Sequence, residues 1–384
     1  MKSKTLIVLL GLLQVACTPF VANAPRDTEN LLSGHLLFGE QVDTSAVRED
    51  DILALNDEMR DYVAGKVGND PQARSRLRKL IRGMIDDGLL TMDYDPNLTH
   101  TAIETFRTRQ GNCLSFSILF ASLAREAELD TTFQMVAIPP SFRADGGLIL
   151  LNNHINVRVT GVRRDINFAG DYVVDFNTAE YNGNYDTRKV DDNYAIALYF
   201  SNVAVEAMQA GRWRTAFRYL KKGIETDPDI AGLWVNLGVL YARHDHHDLA
   251  VEAYREALSI QVSNKSALVN MANAMRHLGR IEEAARYSDK VDYYRNRHPY
   301  YHYNLAQTAY RESRLDDALE HLARAIKLKE DEHQFYFLRG LVHQQRKAYD
   351  LAERDYRKAR DTAENAQLVS GYTRKLQALE SSLR

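Results

Sequence analysis

Two hydrophobic periods alternate along the chain. From Asp50 to Leu90 apolar residues return at three- and four-residue steps: Ile52, Leu53, Leu55, Met59, Tyr62 and Val63 first, then Leu77, Leu80, Ile81 and Met84 after Pro71. That spacing predicts two helices. In the segment Thr101 to Leu129 the positions after Cys113 are apolar nearly all round (Leu114, Phe116, Ile118, Leu119, Phe120, Leu123), which predicts a helix buried at a domain centre. Gly111 and Asn112 are turn residues, so Cys113 falls in the first turn of that helix. The period then changes to two. Phe133 to Ile138 reads as a strand stopped by Pro139-Pro140. After Gly146-Gly147 a second strand region puts His154, Asn156, Arg158 and Thr160 on one face and Ile155, Val157 and Val159 on the other. A third strand, Tyr172 to Phe176, ends at Asn177.

The C-terminal half repeats itself. Ala216, Ala250, Ala284, Ala318 and Ala352 recur every 34 residues. A second small-residue column runs Ala204, Gly238, Ala272, Ala306, Gly340, and a third runs Gly223, Ala257, Val291, Ala325, Ala359. The fullest copy, WVNLGVLY from Trp234 to Tyr241 followed by Ala250, Tyr254 and Ala257, resembles the tetratricopeptide repeat (TPR), in which small residues let paired helices approach. Five copies are expected at 197–228, 231–262, 265–296, 299–330 and 333–364, with 365–384 as a capping helix whose inner face is Leu368, Leu376, Leu379 and Leu383. Pro228 and Pro299 fall near repeat junctions, and Arg339 stands where the fifth copy wants an apolar residue, which predicts weaker packing there. Such an array implies a concave surface for a protein or peptide partner. Tyr293, Tyr294, Tyr300, Tyr301 and Tyr303 are candidates for that surface or for interior packing. The run His244 to Asp248 reads as the turn inside one repeat, its metal-binding alternative lacking any implied ligand geometry.

Composition narrows the class. The chain has 384 residues, 45% hydrophobic and 26% charged, and a net charge of −3. This fits a globular protein of two or three domains, and nothing in it points to wholesale nucleic-acid binding, which needs a basic face. No apolar run reaches the length of a membrane-spanning helix. The start, MKSKTLIVLLGLLQVACTPFVANA, has the basic flank and short apolar stretch of an export signal, 1–16. Val15-Ala16-Cys17 resembles a bacterial lipobox, with Gln14 and Leu13 displaced from the usual pattern; cleavage after Ala22-Asn23-Ala24 is the alternative. Lipidation of Cys17 predicts an envelope protein in the periplasm, held to the outer membrane by a lipid anchor alone, with 17–48 as a tether. Cys113 then has no disulfide partner, and an unpaired thiol in an oxidising compartment is a candidate reactive group.

The chemistry converges on residues 49–190. A helix start favours a thiolate over a thiol at Cys113. A cysteine on a helix, a histidine on a strand and an acid on the next strand supply a nucleophile, its base and the group that orients the base. Arg109-Gln110-Gly111-Asn112-Cys113 through Leu119, Asn153 to Val157 and Val173 to Asn177 resemble, in order, the motifs of the transglutaminase-like superfamily, a papain-related group. The resemblance implies Cys113 as nucleophile, His154 as acid/base and Asp175 as the orienting carboxylate, on an α+β fold with the cysteine helix packed against an antiparallel sheet. Ile155 and Asn156 depart from the family's aromatic after the histidine, and Phe176 from its proline after the acid. Gln110 is a weaker candidate oxyanion donor than the Cys113 N–H, and Asp93 to Asn97 reads as a turn rather than a calcium loop. The whole is an α+β papain/transglutaminase-like domain followed by an all-α TPR solenoid, with no cofactor or metal implied. Two functions follow: an exported cysteine peptidase, amidase or acyltransferase acting on a protein recruited by the repeats, or a non-catalytic scaffold binding partners through them.

Overall fold

The computed structural model describes residues 28–89, 93–137, 141–142, 149–150, 153–162, 171–176, 186–363 and 366–382. The export signal, Cys17, Ile138 to Pro140, Gly146-Gly147, Asn177 and Leu383 lie outside the described residues.

Residues 28–48, expected within a tether, are instead packed onto the helical array. Helices α1 (Thr28–Ser33) and α2 (His35–Phe38) are followed by an irregular run. Leu31 and Val42 are buried in the same core as Phe217 and Leu220. Leu31 and Val42 also lend their carbonyls, Leu31 accepting from Tyr241 Oη at 2.7 Å and Val42 from Lys221 Nζ at 2.9 Å. Gly34 takes a left-handed φ of 74°, and a Cβ there would stand 2.7 Å from Val42 and 2.9 Å from the Phe217 ring. Buried apolar anchors offset the entropy of ordering the segment.

Helix α3 (Asp57–Val67) begins seven residues after Asp50, because Asn56 caps it, its side chain accepting from Met59 N–H at 2.9 Å. Ile52 reaches the core from a turn. After α4 (Ala73–Asp86), the pair β1 (Asp93–Tyr94) and β2 (Gln110–Gly111) brackets α5 (Ala102–Thr108), and Asp95 to Asn97 turn between them. Helix α6 (Cys113–Glu126) is buried without a break from Leu114 to Ala124. Its serines are satisfied: Ser117 Oγ donates to Ile155 O at 3.1 Å and Ser122 Oγ to Leu53 O at 3.0 Å.

Four strands, β3 (Thr131–Ala137), β6 (Asn153–Val159), β7 (Tyr172–Val174) and β8 (Thr187–Val190), form an antiparallel sheet in the order β7-β6-β3-β8. Between β3 and β6 in sequence, β4 (Ser141–Phe142) pairs antiparallel with β5 (Ile149–Leu150). Ile155, Val157 and Val159 pack with Phe133 and α6 in one core.

Ten helices in antiparallel pairs follow: α7 (Asp192–Gln209) with α8 (Trp213–Thr226), α9 (Ala231–Ala242) with α10 (His247–Ile260), α11 (Lys265–His277) with α12 (Ile281–Asn296), α13 (Pro299–Arg311) with α14 (Leu315–Leu328), and α15 (His333–Gln345) with α16 (Tyr349–Thr362). The alanines of all three columns are buried. At Gly238 the reason is direct, since a Cβ would run into the ring of Tyr254, 2.7 Å from Cδ1 and 2.9 Å from Cζ. Each turn inside a pair carries one left-handed residue at the same repeat position: Gly211, Asp245, Gly279, Ser313 and Lys347. The array ends in α17 (Ala366–Ser382), which buries Tyr372, Leu376 and Leu379 against α15 and α16.

Three local expectations resolve here. Arg339 does not loosen the fifth pair; its guanidinium makes two hydrogen bonds, 2.9 and 2.6 Å, to the buried carboxylate of Asp355. Tyr300 and Tyr303 pack on Phe335 at 5.2 and 5.1 Å between ring centres, whereas Tyr293 is exposed. In the run His244 to Asp248, His244 Nδ1 lies 2.9 Å from Leu240 O, His247 stacks on His277 at 4.2 Å, and His247 Nε2 lies 3.9 Å from Asp245 Oδ1.

Gly238→Ala will destabilise the protein by about 1–3 kcal/mol through overpacking. Gly232→Ala, on the same helix where nothing stands within 4 Å of the added methyl, will stabilise it by about 0.5–1 kcal/mol. Thermal unfolding of the two variants measures the contrast.

Candidate active site

The chain reaches Cys113 through a tightly determined turn. Arg109 closes α5 in the left-handed region, and Gly111 has φ 150°, where a Cβ would sit 2.7 Å from Ser115 Cβ. Asn112 then caps α6. Its Oδ1 accepts from Ser115 N–H at 3.0 Å, and its Nδ2 donates to Thr99 Oγ1 at 2.7 Å. Cys113 is thus the first residue of α6, half-buried, with its N–H among the helix's unpaired first-turn donors.

Strand register brings the other groups to it. His154 on β6 lies opposite Val136, and Val157 opposite Val174 on β7, so Asp175 follows β7 level with Asn156. The ring of His154, 3% exposed, donates from Nε2 to Asp175 Oδ1 at 2.6 Å. Cys113 also hydrogen-bonds to the ring. The structure therefore places the three predicted site residues around one imidazole. Gln110, in contrast, is an exposed strand residue paired with Asp93.

Burial opposes a charged imidazole, but hydrogen bonds with Asp175 and, second to it, Cys113, together with their negative charges, outweigh it and raise His154 to about 9. An imidazolium therefore persists at neutral pH between a carboxylate and a sulfur. The stability it adds is complete below about pH 6.5, the ordinary histidine value, and is lost as pH climbs through about 9.

Sequence reasoning gave no role to two residues beside His154 and Asp175. Asn156 is fully buried, and its Nδ2 donates to Asp175 Oδ2 at 3.0 Å, holding the oxygen that His154 does not use. Gln134, its cross-strand partner, is also buried; the amide oxygens of both lack a hydrogen-bond partner. The available signal was the period-two face that Asn156 shares with His154.

Cys113 also opens outward. It lines a cavity of about 620 Å³ together with Ile155 of the sheet, Ser201 and Asn202 of α7, Asn236 of α9 and Asn264 before α11. The thiol thus faces the inner helices of the first three pairs.

Residues 204–263 and 303–366 match the tetratricopeptide repeat family model, and the C-terminal part of the chain is a TPR solenoid. Similar solved structures include the second TPR of Spaghetti (RPAP3) bound to an HSP90 peptide, 21% identical over 25% of this chain and 88% of that one, TM-score 0.24. Another is YrrB, a TPR protein with an unusual peptide-binding site, 16% identical over 46% of this chain and 92% of that one, TM-score 0.25. A third is Pseudomonas aeruginosa pilF, 20% identical over 49% and 90%, TM-score 0.25. No curated protein matches the chain in sequence.

In an NMR titration the His154 ring will change charge near pH 9, and Asp175→Asn will lower that midpoint by about 1–3 pH units. A midpoint that stays in place in the variant refutes the role given to Asp175.

Proposed function

We propose that the chain binds a protein or peptide partner through its TPR solenoid and acts on it as a thiol-dependent hydrolase of amide bonds, with Cys113 as nucleophile, His154 as acid/base and Asp175 as the orienting carboxylate. The observation that carries this reading is the buried His154 ring, bonded to Asp175 on one nitrogen, with Cys113 beside it and open to a cavity shared with the repeats. The Cys113 sulfur attacks the amide carbonyl, a carbon–sulfur bond forms, and the oxygen takes up negative charge near the Cys113 N–H. The carbon–nitrogen bond then breaks, and the imidazolium proton of His154 passes to the leaving amine. Water adds to the thioester, giving its proton to His154, and the acid leaves with the thiolate restored. A primary amine in place of water makes the same centre an acyltransferase.

The three-motif likeness to the transglutaminase-like superfamily supports the α/β region as the chemical unit. Export, cleavage before Cys17 and lipid attachment at the outer membrane belong to the same proposal and rest on the N-terminal sequence alone. A second reading, a scaffold without catalysis, is favoured by the family match, which falls entirely within the repeats.

Iodoacetamide, mapped by mass spectrometry, will alkylate Cys113 in the full chain, and His154→Ala will lower amide-hydrolysis rates by about 10²–10⁴-fold. Hydrolysis will decline as pH rises through about 9, where the imidazolium that protonates the leaving amine is lost. A Cys113 that resists alkylation, or hydrolysis unaffected by His154→Ala, leaves the scaffold reading.

A further inference from the structure

Five arginines on the repeats each pair with an acid three or four residues away: Arg255 with Glu252, Arg280 with Glu283, Arg314 with Asp317, Arg324 with Glu320 and Arg357 with Glu353. Helix α4, in the α/β region, is different. Its Arg74, Arg78 and Arg82 are exposed and have no ion pair or hydrogen bond among the described residues. Steps of four residues set them about 6 Å apart along one face. Ile85, one turn further on that face, is 52% exposed. Acids near the two ends are engaged elsewhere, Asp70 with Lys79 at 2.8 Å and Asp87 with Lys66 at 2.7 Å, and Asp86 lies one turn past Arg82.

The helix is fixed from behind. Leu77, Leu80 and Met84 are buried in the core that holds α6. Arg76 donates to Ala127 O at 2.8 Å and to Asp70 O and Glu128 O at 2.9 Å. The arginine face is therefore presented without any movement of the fold. A guanidinium matches phosphate oxygens in pairs, which an ammonium does not. Three such groups are few for duplex DNA, where binding through about six to ten phosphates is typical, and the net charge of −3 adds no long-range pull. The in-line isoleucine has no counterpart on a duplex or an acidic peptide. At a bilayer it enters the acyl boundary while the arginines stay with the headgroups.

We propose that the α4 face of Arg74, Arg78, Arg82 and Ile85 docks on the phosphate headgroups of an anionic bilayer, which sets the side of the α/β region turned to the membrane. This rests on the envelope location proposed above and adds a second contact to the lipid on Cys17. The test uses the full chain at about 0.15 M salt, with vesicles of phosphatidylcholine alone or mixed with phosphatidylglycerol. Phenylglyoxal, mapped by mass spectrometry, modifies Arg74, Arg78 and Arg82 in the free chain; mixed vesicles protect them and phosphatidylcholine alone does not. Arg74→Gln, Arg78→Gln and Arg82→Gln together weaken binding to mixed vesicles about 100-fold, roughly fivefold per residue. Ile85→Ser weakens it about fivefold, and thermal unfolding of both variants matches the wild type. Arginines modified as fast on mixed vesicles as in solution, or undiminished binding of the triple variant, overturn the proposal. Equal protection by polyglutamate or duplex DNA also overturns it and assigns the face to a protein or a nucleic acid. Protection in a chain whose Cys17 carries no lipid upholds this surface and removes the anchor reading alone.

Discussion

Helix α7 belongs to two hydrophobic cores, and that double membership sets the relation between the thiol and the repeats. Ala195, Ile196, Tyr199 and Phe200 pack with α6 and the sheet, while Ala197, Ala204 and Ala207 pack with α8 and α9. A helix apolar on most of its circumference has no solvent face to surrender, so both neighbours are held at fixed angles. Its remaining polar strip, Ser201 and Asn202, forms the wall opposite Cys113. The site is therefore built on rigid elements: α6 supplies sulfur, β6 the imidazole, α7 the far wall.

At the centre of the site, burial and charge compete over one ring. Desolvation alone would leave His154 neutral, and a neutral ring beside a thiol is a poor proton donor to a leaving amine. Hydrogen bonds with Asp175 and Cys113 reverse the outcome. Asp175 is itself held, through Asn156, on its second oxygen. The acid thus has little freedom to turn away from the ring, and ring orientation follows from packing inside the sheet.

Legibility in the sequence followed the kind of constraint at each place. Steric constraints repeat and leave columns: alanines and glycines at helix contacts were readable because no larger residue fits beside Tyr254 or Tyr356. The turn before Cys113 was readable for the same reason, since Gly111 admits no Cβ. Constraints satisfied by backbone atoms left no trace. Residues 28–48 looked like a tether because the groups that hold them include carbonyls of Leu31 and Val42, which any sequence carries. Asn56 as a helix cap overrode an apolar spacing that runs unbroken through Ile52 and Leu55. The left-handed turn column was hidden because only Gly211 and Gly279 advertise it, while Asp245, Ser313 and Lys347 bear the strain. Arg339 misled because a charge at an apolar position signals loose packing only until its partner, Asp355, is known.

The distribution of covered and open surface then limits how a partner can approach. The outer helices of the first two pairs are occupied by the chain's own N-terminal segment: Lys222 pairs with Glu49 at 2.7 Å, Arg218 Nε donates to Asp43 O at 3.1 Å, and α1 lies on α10. The far end is closed by α17. Each of these contacts takes up apolar area that a solenoid would otherwise present to a partner. Beside the thiol lies a cavity of mixed lining, with Ser201, Asn202, Asn236 and Gln261 set among Ile155, Leu198, Ile230 and Val235. Its charged residues, Arg188 and Asp229, are of opposite sign, so the cavity has no dense positive charge to offer a nucleic acid. Hydrogen-bonding groups and apolar side chains share the wall in about equal measure, a composition that lets a few polar contacts orient a ligand whose apolar parts are buried beside the thiol.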